Sequence, residues 1–166
     1  MRMTVLVALA AMAPGAALAQ DAAPAGDAAA GEDHFNRQCI ACHVVQDEAG
    51  EVLAGRNARV GPNLYGVIGR VPGSLEGYNY SKLMEAYGAM EDVVWEEANF
   101  VDYVQDPTGF LREATGESSG RSKMAYQVRD EQQAHDLHAY LATFSPEAAE
   151  GDGGAEDADG GDAPSE

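Results

Sequence analysis

The chain has 166 residues and a large excess of acidic side chains, with 28 Asp and Glu against 10 Lys and Arg and a formal net charge of −18 at pH 7. Such a surface repels nucleic acid and anionic lipid headgroups, so the composition excludes both as expected partners. The length predicts a single small domain.

The first 20 residues have the features of a secretory signal peptide. Arg2 is the only charge, residues 4–13 form an apolar run, and residues 17–19 read Ala-Leu-Ala, a typical cleavage site. The run is shorter than the roughly 20 apolar residues that a membrane anchor needs. We therefore expect export, cleavage after Ala19 or Gln20, and no stable insertion into the membrane.

Two further segments lack the apolar residues that folding requires. Residues 21–30 form a leader of Ala, Pro, Gly and Asp, and residues 147–166 form a glycine-rich tail with eight acidic residues and no base. These compositions predict disorder, because little surface can be buried to offset the cost of ordering. The folded domain is predicted over residues 31–146. Residues 21–146 still carry 20 acids against nine bases, a charge of about −11.

The segment Cys39-Ile40-Ala41-Cys42-His43 is a C-x-x-C-H motif, the attachment signal for c-type haem. Thiols at this spacing can form thioethers with the two vinyl groups of a porphyrin, and the next residue can bind the iron through its imidazole. The alternative is a disulfide or redox pair of Cys39 and Cys42 with an incidental His43. The motif and the export signal together favour haem.

Hydrophobic periodicity predicts an all-α domain with long loops. Apolar residues at helical spacing indicate four short helices, at residues 31–38, 81–88, about 95–106 and 130–144. Residues 46–60 and 108–123 are expected to be irregular, and Pro62 predicts a rigid turn over residues 61–64. Such short helices bury little surface, so a porphyrin in the centre would supply much of the apolar core.

Three methionines outside the signal peptide are candidates for the second iron ligand. Met84 lies on the apolar side of a predicted helix, where a role in the core is the better interpretation. Met90 lies in a short link, and Met124 lies in a loop that could cross the far face of the haem. We favour Met124, whose thioether would raise the reduction potential.

Histidines could replace methionine as the second ligand. The candidates are His34, His135 and His138. We expect all three to be surface residues, because histidine is often exposed and each lies on or beside a helix that needs its other face for packing.

The order of these motifs resembles the class I c-type cytochromes, and most closely their bacterial periplasmic branch of the cytochrome c2 and c-550 type. The resemblance covers nearly all of residues 31–145. Its residues, in chain order, are Gly31 with Phe35, the segment 39–43, Gly61-Pro62-Asn63-Leu64-Tyr65-Gly66, Gly69-Arg70, Gly77-Tyr78-Asn79-Tyr80, Trp95, Tyr103 with Pro107, Lys123-Met124, and Leu137 with Ala139-Tyr140-Leu141.

The resemblance implies a class I cytochrome c fold and one haem c bound covalently through Cys39 and Cys42. His43 and Met124 would be the axial ligands of the iron. The carbonyl of Pro62 would accept a hydrogen bond from the His43 ring and fix its orientation.

The resemblance also implies supporting roles. Arg70, Tyr80 and Trp95 would contact a haem propionate or its water network. Tyr103 would lie near the Met124 sulfur. Gly31 would allow the first and last helices to cross closely.

The function implied is that of a periplasmic electron carrier, not an enzyme, whose iron cycles between Fe(III) and Fe(II). A monomer would dock transiently, at the haem edge, on membrane redox complexes of the cytochrome bc1 type, cytochrome c oxidase or a photosynthetic reaction centre, and on periplasmic reductases. Lysines are scarce, so arginines are expected to supply the docking charge. The bases in segments that flank the edge are Arg37, Arg59, Arg112, Arg121, Lys123 and Arg129.

Two other functions remain open from the sequence. One is an enzyme, a haem peroxidase or gas-binding protein, which needs a vacant or labile sixth position on the iron. The other is a permanently docked subunit of a larger oxidase or reductase complex, which the leader and tail permit without requiring.

Overall fold

A computed structural model gives the structure of residues 26–145. The proposed signal peptide, most of the leader, Pro146 and the acidic tail lie outside these described residues. The helices are α1 (Ala28–His34), α2 (Lys82–Gly88), α3 (Glu97–Gln105), α4 (Pro107–Thr115) and α5 (Glu131–Ala142). A π-helical turn, Phe35–Cys39, continues α1, and two short strands, β1 (Val44–Gln46) and β2 (Val52–Gly55), form a hairpin.

The predicted all-α class is confirmed, and two predicted helices have nearly the expected bounds. Ser81 caps α2, because its Oγ accepts a hydrogen bond from the Met84 amide at 3.2 Å. Asp130 caps α5, because its Oδ1 accepts from the Gln133 amide at 3.0 Å. These side chains satisfy amides that have no partner within the first turn of a helix. The third helix, α3, begins at Glu97, slightly later than predicted.

The first helix begins earlier than the predicted domain boundary. Residues 28–30 were expected to belong to a disordered leader, and this is wrong, because they form the first turn of α1. Asp27 caps that turn by accepting from the Ala29 amide at 2.8 Å and the Ala30 amide at 3.2 Å. The Asp27 amide in turn donates to Asp136 Oδ1 at 2.8 Å, which ties the start of α1 to α5.

Helix α4 lies where the sequence analysis predicted an irregular segment. Pro107 ends α3 as expected, but it also occupies the first turn of α4. Proline is favoured there, because its missing N–H would be unsatisfied in any case. Asp106 Oδ1 accepts from the Gly109 amide at 3.1 Å. Gly116, with φ of +70°, ends the helix in the left-handed region that glycine tolerates best.

The hairpin is a third departure from the prediction, because residues 46–60 were expected to be a loop. β1 and β2 pair antiparallel, with Val44 opposite Gly55 and Val45 opposite Ala54. Gly50, with φ of +86°, lies in the connecting turn. Strands of three and four residues are too short to produce a convincing alternation of apolar and polar positions.

Gly31 sets the packing of the first helix against the last. It is buried in α1, and a Cβ atom built there would overlap the carbonyl oxygen of Asp136 in α5. Beside it, Phe35 is fully buried and its ring lies 5.6 Å from that of Tyr140. The close crossing implied by the resemblance is therefore present.

No helix within residues 26–145 combines the length and the apolar character needed to cross a bilayer.

Gly31→Ala should destabilise the protein by about 2 kcal/mol, because overpacking against backbone outweighs the gain in helix propensity. Thermal unfolding followed by circular dichroism measures the change. Ala30→Ser, which enlarges an exposed position of the same helix, is the matched control and should have little effect. Equal stability of Gly31→Ala and the parent protein would contradict the close crossing.

Candidate functional site

A cavity of about 400 Å³ opens into the centre of the domain, and its walls carry all of the candidate site residues. These are Cys39, Cys42, His43, Pro62, Arg70, Tyr80, Trp95, Tyr103 and Met124. The rest of the wall is largely apolar and includes Phe35, Val67, Phe100 and Leu137, which belong to the hydrophobic core. The structure therefore brings together residues that lie up to 85 positions apart in the sequence.

The C-x-x-C-H motif forms a tight turn at the end of the π-helical segment. The amides of Cys42 and His43 both donate to the carbonyl of Cys39, at 3.0 and 2.9 Å. The two thiols are not bonded to each other. Burial, followed by the charge of Cys42, raises the pKa of Cys39 to about 12. Reactive redox cysteines have a depressed pKa instead, so the site does not fit the alternative of a redox pair.

The His43 ring is held in one orientation by the turn that follows β2. Its Nδ1 lies 2.9 Å from the Pro62 carbonyl oxygen, and since a carbonyl can only accept, we assign the ring proton to Nδ1. This tautomer leaves the lone pair of Nε2 available for a metal. Burial lowers the pKa of His43, and the hydrogen bond to Pro62 opposes the shift. The ring is therefore neutral at pH 7.

Gly61 provides the space that this ring occupies. A Cβ atom at Gly61 would overlap Cε1 of His43. The Gly61 amide donates to the Cys42 carbonyl at 2.7 Å, and the Leu64 amide donates to the Val44 carbonyl at 2.9 Å. The motif and the turn are thus joined on both sides of the imidazole.

Arg70 places a partly buried cation in the wall. It donates to the carbonyls of Tyr65 at 2.9 Å and Asn63 at 3.0 Å. Burial lowers its pKa, and no carboxylate of residues 26–145 forms an ion pair with it. A buried cation without a paired anion is costly, so this site suits a ligand that carries a carboxylate.

Trp95 and Tyr80 are neighbours of Arg70 in the cavity wall. The Trp95 amide donates to the Arg70 carbonyl at 3.0 Å, and the Trp95 carbonyl accepts from Gly69 at 2.8 Å. Trp95 is buried, and the Arg70 guanidinium opposes the rise that burial causes in the pKa of Tyr80. The three residues that the resemblance groups at a propionate are therefore neighbours in the structure.

The segment between α4 and α5, residues 117–130, is called here the methionine loop. Ser122 Oγ accepts from the Met124 amide at 3.2 Å and lies 3.1 Å from the Tyr103 hydroxyl. The Val128 amide donates to the Val104 carbonyl at 2.8 Å. Two residues of α3, Tyr103 and Val104, thus hold the methionine loop on both sides of Met124. Burial raises the pKa of Tyr103 to about 12, so its hydroxyl stays protonated.

A second methionine also borders the cavity. Met84 is buried on α2, as its predicted role in the core requires. It also lines the cavity wall, which the sequence did not indicate. Met90 is 44% exposed and does not line the cavity. Between Met84 and Met124, only Met124 lies in an irregular segment whose backbone is fastened by side-chain hydrogen bonds.

The expectation of surface histidines is wrong for at least two of the three. His34 and His135 are each only 6% exposed. His34 Nε2 lies 3.3 Å from the Tyr126 hydroxyl, and His135 Nδ1 lies 2.7 Å from Glu97 Oε1. These partners form hydrogen bonds with ring nitrogens that were expected to face water. Neither these two nor His138 lines the cavity, so none is placed to compete for the iron.

These features together fit a haem. The wall offers two thiols at thioether spacing, a neutral imidazole with a free nitrogen, a thioether sulfur and an unpaired cation, set in an apolar surface. Soft sulfur and imidazole donors suit haem iron. The cation suits a propionate.

Comparison with known proteins agrees with the site. The profile of the Cytochrome c family matches residues 28–145. Cytochrome c2 of Rhodovulum adriaticum is 58% identical over 117 residues, which cover 70% of this chain and 91% of that protein. Cytochrome c-550 of Paracoccus pantotrophus is 42% identical over 132 residues, 79% of this chain and 96% of that protein.

Solved structures give the same result. The crystal structure of cytochrome c2 from Rhodobacter sphaeroides superposes with a TM-score of 0.69 at 45% identity, covering 72% of this chain and 97% of that one. That of ferric cytochrome c-550 from Paracoccus versutus superposes with a TM-score of 0.66 at 43% identity, covering 73% and 99%. The chain therefore belongs to the cytochrome c family, with the class I fold and one covalently attached haem c, and it is an electron carrier rather than an enzyme.

Proposed function

We propose that this protein is a periplasmic shuttle for single electrons, in which His43 and Met124 are the axial ligands of the haem iron. The observation that carries the proposal is the placement of both side chains on one cavity, each in a segment fastened by hydrogen bonds. With His43 and Met124 both holding the iron, no position on it would remain for a substrate. This argues against the open iron site of a peroxidase or gas-binding protein.

The chain supports electron transfer by keeping the surroundings of the iron constant. When bound, the haem supplies the one-electron chemistry between Fe(III) and Fe(II). His43 is held by Pro62, and Met124 is held through Ser122 and Tyr103, so neither needs to move. The apolar wall excludes water, and the neutral thioether of Met124 favours the reduced state.

Arg70 would neutralise a propionate, with Tyr80 and Trp95 beside it. Its guanidinium is already oriented by two backbone carbonyls, so binding costs little additional ordering. Cys39 and Cys42 would hold the porphyrin edge through thioethers.

Met124→Ala should remove the weak near-infrared charge-transfer band of methionine-ligated ferric haem and lower the reduction potential. Optical spectra and a redox titration measure both. Met84→Ala is the matched control, because Met84 lines the same cavity and its loss should weaken packing while the band remains. Loss of the band in Met84→Ala and its retention in Met124→Ala would reverse the ligand assignment.

The docking surface is proposed at the mouth of the cavity. Six exposed bases line the cavity or lie next in sequence to residues that do, one of which is Lys82. The five that the sequence analysis grouped at the haem edge are called the basic rim: Arg37, Arg59, Arg121, Lys123 and Arg129. This local positive charge contrasts with the acidic chain as a whole. It would guide an acidic partner to the haem edge through a small, short-lived interface.

Arg112, which was grouped with these bases from the sequence, has a different role. Its Nε and Nη2 donate to the Gly120 carbonyl at 3.0 and 2.6 Å, which braces the methionine loop against α4. Arg37 lies 3.7 Å from Asp33, but both side chains are exposed, and such a pair leaves most of the charge available to a partner.

The proposed partners are membrane complexes of the cytochrome bc1 type, cytochrome c oxidase or a photosynthetic reaction centre, and periplasmic reductases. The support is the relationship to cytochromes c2 and c-550, together with the exposed basic rim beside residues that line the cavity. Monomeric purification without detergent would count against the alternative of a permanently docked subunit.

Electron transfer to an acidic partner should slow as salt rises, because the Debye length falls to about 10 Å at 0.1 M. Flash-photolysis kinetics with a reaction centre or oxidase across a salt series measures the rate. Arg59→Glu should lower the association rate more than the unimolecular transfer rate.

Arg56→Glu is the matched control, because Arg56 is an exposed base of the same loop that is not next to a cavity residue. It should change association less than Arg59→Glu. A rate that is flat in salt, or that rises with it, would mean that the acidic surface governs docking and that the basic rim is assigned wrongly.

A further inference from the structure

His34 is a buried titratable group that lies close to the cavity without lining it. It ends α1 and is 6% exposed. Its Nε2 lies 3.3 Å from the hydroxyl of Tyr126, and the two ring centroids are 6.3 Å apart. Tyr126 belongs to the methionine loop and lines the cavity. One side chain therefore separates His34 from the space assigned to the haem.

Charged groups of both signs face His34 from the elements packed around it. Arg37 follows it in the π-helical turn, Asp130 caps α5, and Asp136 lies within α5. Burial is the largest influence and lowers the pKa of His34, and Arg37 acts in the same direction. The two aspartates raise the pKa and so oppose both effects. The net effect is a lowered pKa, which a further negative charge nearby would raise.

The reaction of the protein provides such a change. Reduction of the iron adds one negative charge to the haem group, and Coulomb interactions are stronger in the protein interior than in water. An added negative charge favours the protonated imidazole. By linkage, a site whose proton affinity depends on the oxidation state must in turn make the reduction potential depend on pH.

We infer that His34 is a redox-linked protonation site, which takes up a proton from solvent when the iron accepts an electron and thereby makes the reduction potential fall as pH rises. The inference rests on haem occupying this cavity and is independent of the identity of the partners. The electron comes from the donor protein and the proton from water, so no other reactant is needed.

The direction in which the reduction potential changes with pH follows from the pKa of His34 being lower in the ferric than in the ferrous protein. Burial lowers the pKa of His34 from its ordinary value in the absence of any added charge, and reduction of the iron raises it again. The potential is therefore constant at pH values below the pKa of the ferric form. It falls between the ferric and ferrous pKa values, and it is constant again above the ferrous value.

The chain contains two matched controls. His135 has the same 6% exposure but is paired with Glu97 at 2.7 Å. His138 has an Nε2 without a hydrogen-bond partner among the described residues, and its ring lies 5.7 Å from that of Phe100, which lines the cavity. His138 is thus the strongest rival for the same role.

The first test measures the reduction potential of the haem-loaded protein from about pH 4 to about pH 8, a range that extends further below than above the ordinary pKa of histidine because burial lowers the pKa of His34. The parent protein, His135→Gln and His138→Gln should show the same fall in potential. His34→Gln should lose it. A flat profile in the parent protein, a fall that persists in His34→Gln, or a loss that occurs in His138→Gln instead would overturn the assignment.

The second test needs no variant, so it holds even if His34→Gln folds poorly. Nuclear magnetic resonance of the His34 ring protons, followed against pH in each oxidation state, gives both pKa values. The ferrous protein should show the higher pKa for His34. Equal values in the two states would contradict the inference.

Discussion

The hydrogen bond from His43 Nδ1 to the Pro62 carbonyl, at 2.9 Å, is the contact on which the rest of the site depends. It fixes both the tautomer and the rotation of the one imidazole that residues 26–145 contribute to the cavity wall. Pro62 can hold its carbonyl in place because the proline ring restricts the backbone. Gly61 leaves room for the imidazole, and its amide donates a hydrogen bond to the Cys42 carbonyl. The attachment motif and the turn therefore act as one unit.

The second constraint is the incomplete core. Residues from the π-helical turn, α3, α5 and the methionine loop converge on a space that the chain itself does not fill, and much of its wall is apolar. A small domain with short helices has little apolar surface to spare. A porphyrin in this space would join these elements into one continuous core. Binding of the cofactor would then also stabilise the fold, as in other proteins whose ligand completes the native state.

Much of this arrangement could be predicted from the sequence, because local signals were strong. The spacing of Cys39, Cys42 and His43 indicated the cofactor, and apolar residues at helical spacing indicated the two helices that Ser81 and Asp130 cap. The resemblance carried by the remaining motifs implied the other site residues, which the structure places on one cavity. These features depend on chemistry that a few adjacent residues carry.

The parts that were missed depend on competing or long-range interactions. The sequence Asp106-Pro107 contained the start signal of α4, but Pro107 was interpreted only as the end of α3. The strands of the hairpin are stabilised by pairing across a turn, which short sequence patterns do not reveal. The burial of His34 and His135 depends on Tyr126 and Glu97, which lie 92 and 38 positions away. Partners that distant cannot be identified from helical periodicity.

Folding of the protein without its cofactor tests the central claim most directly. In the double variant Cys39→Ala, Cys42→Ala, purified free of haem, both covalent links are absent while the rest of the wall is unchanged. Thermal unfolding followed by far-ultraviolet circular dichroism should show little helix and no cooperative transition, whereas the haem-loaded parent protein should unfold cooperatively. A cooperative transition of the haem-free variant, with helix content close to that of the parent, would contradict the account.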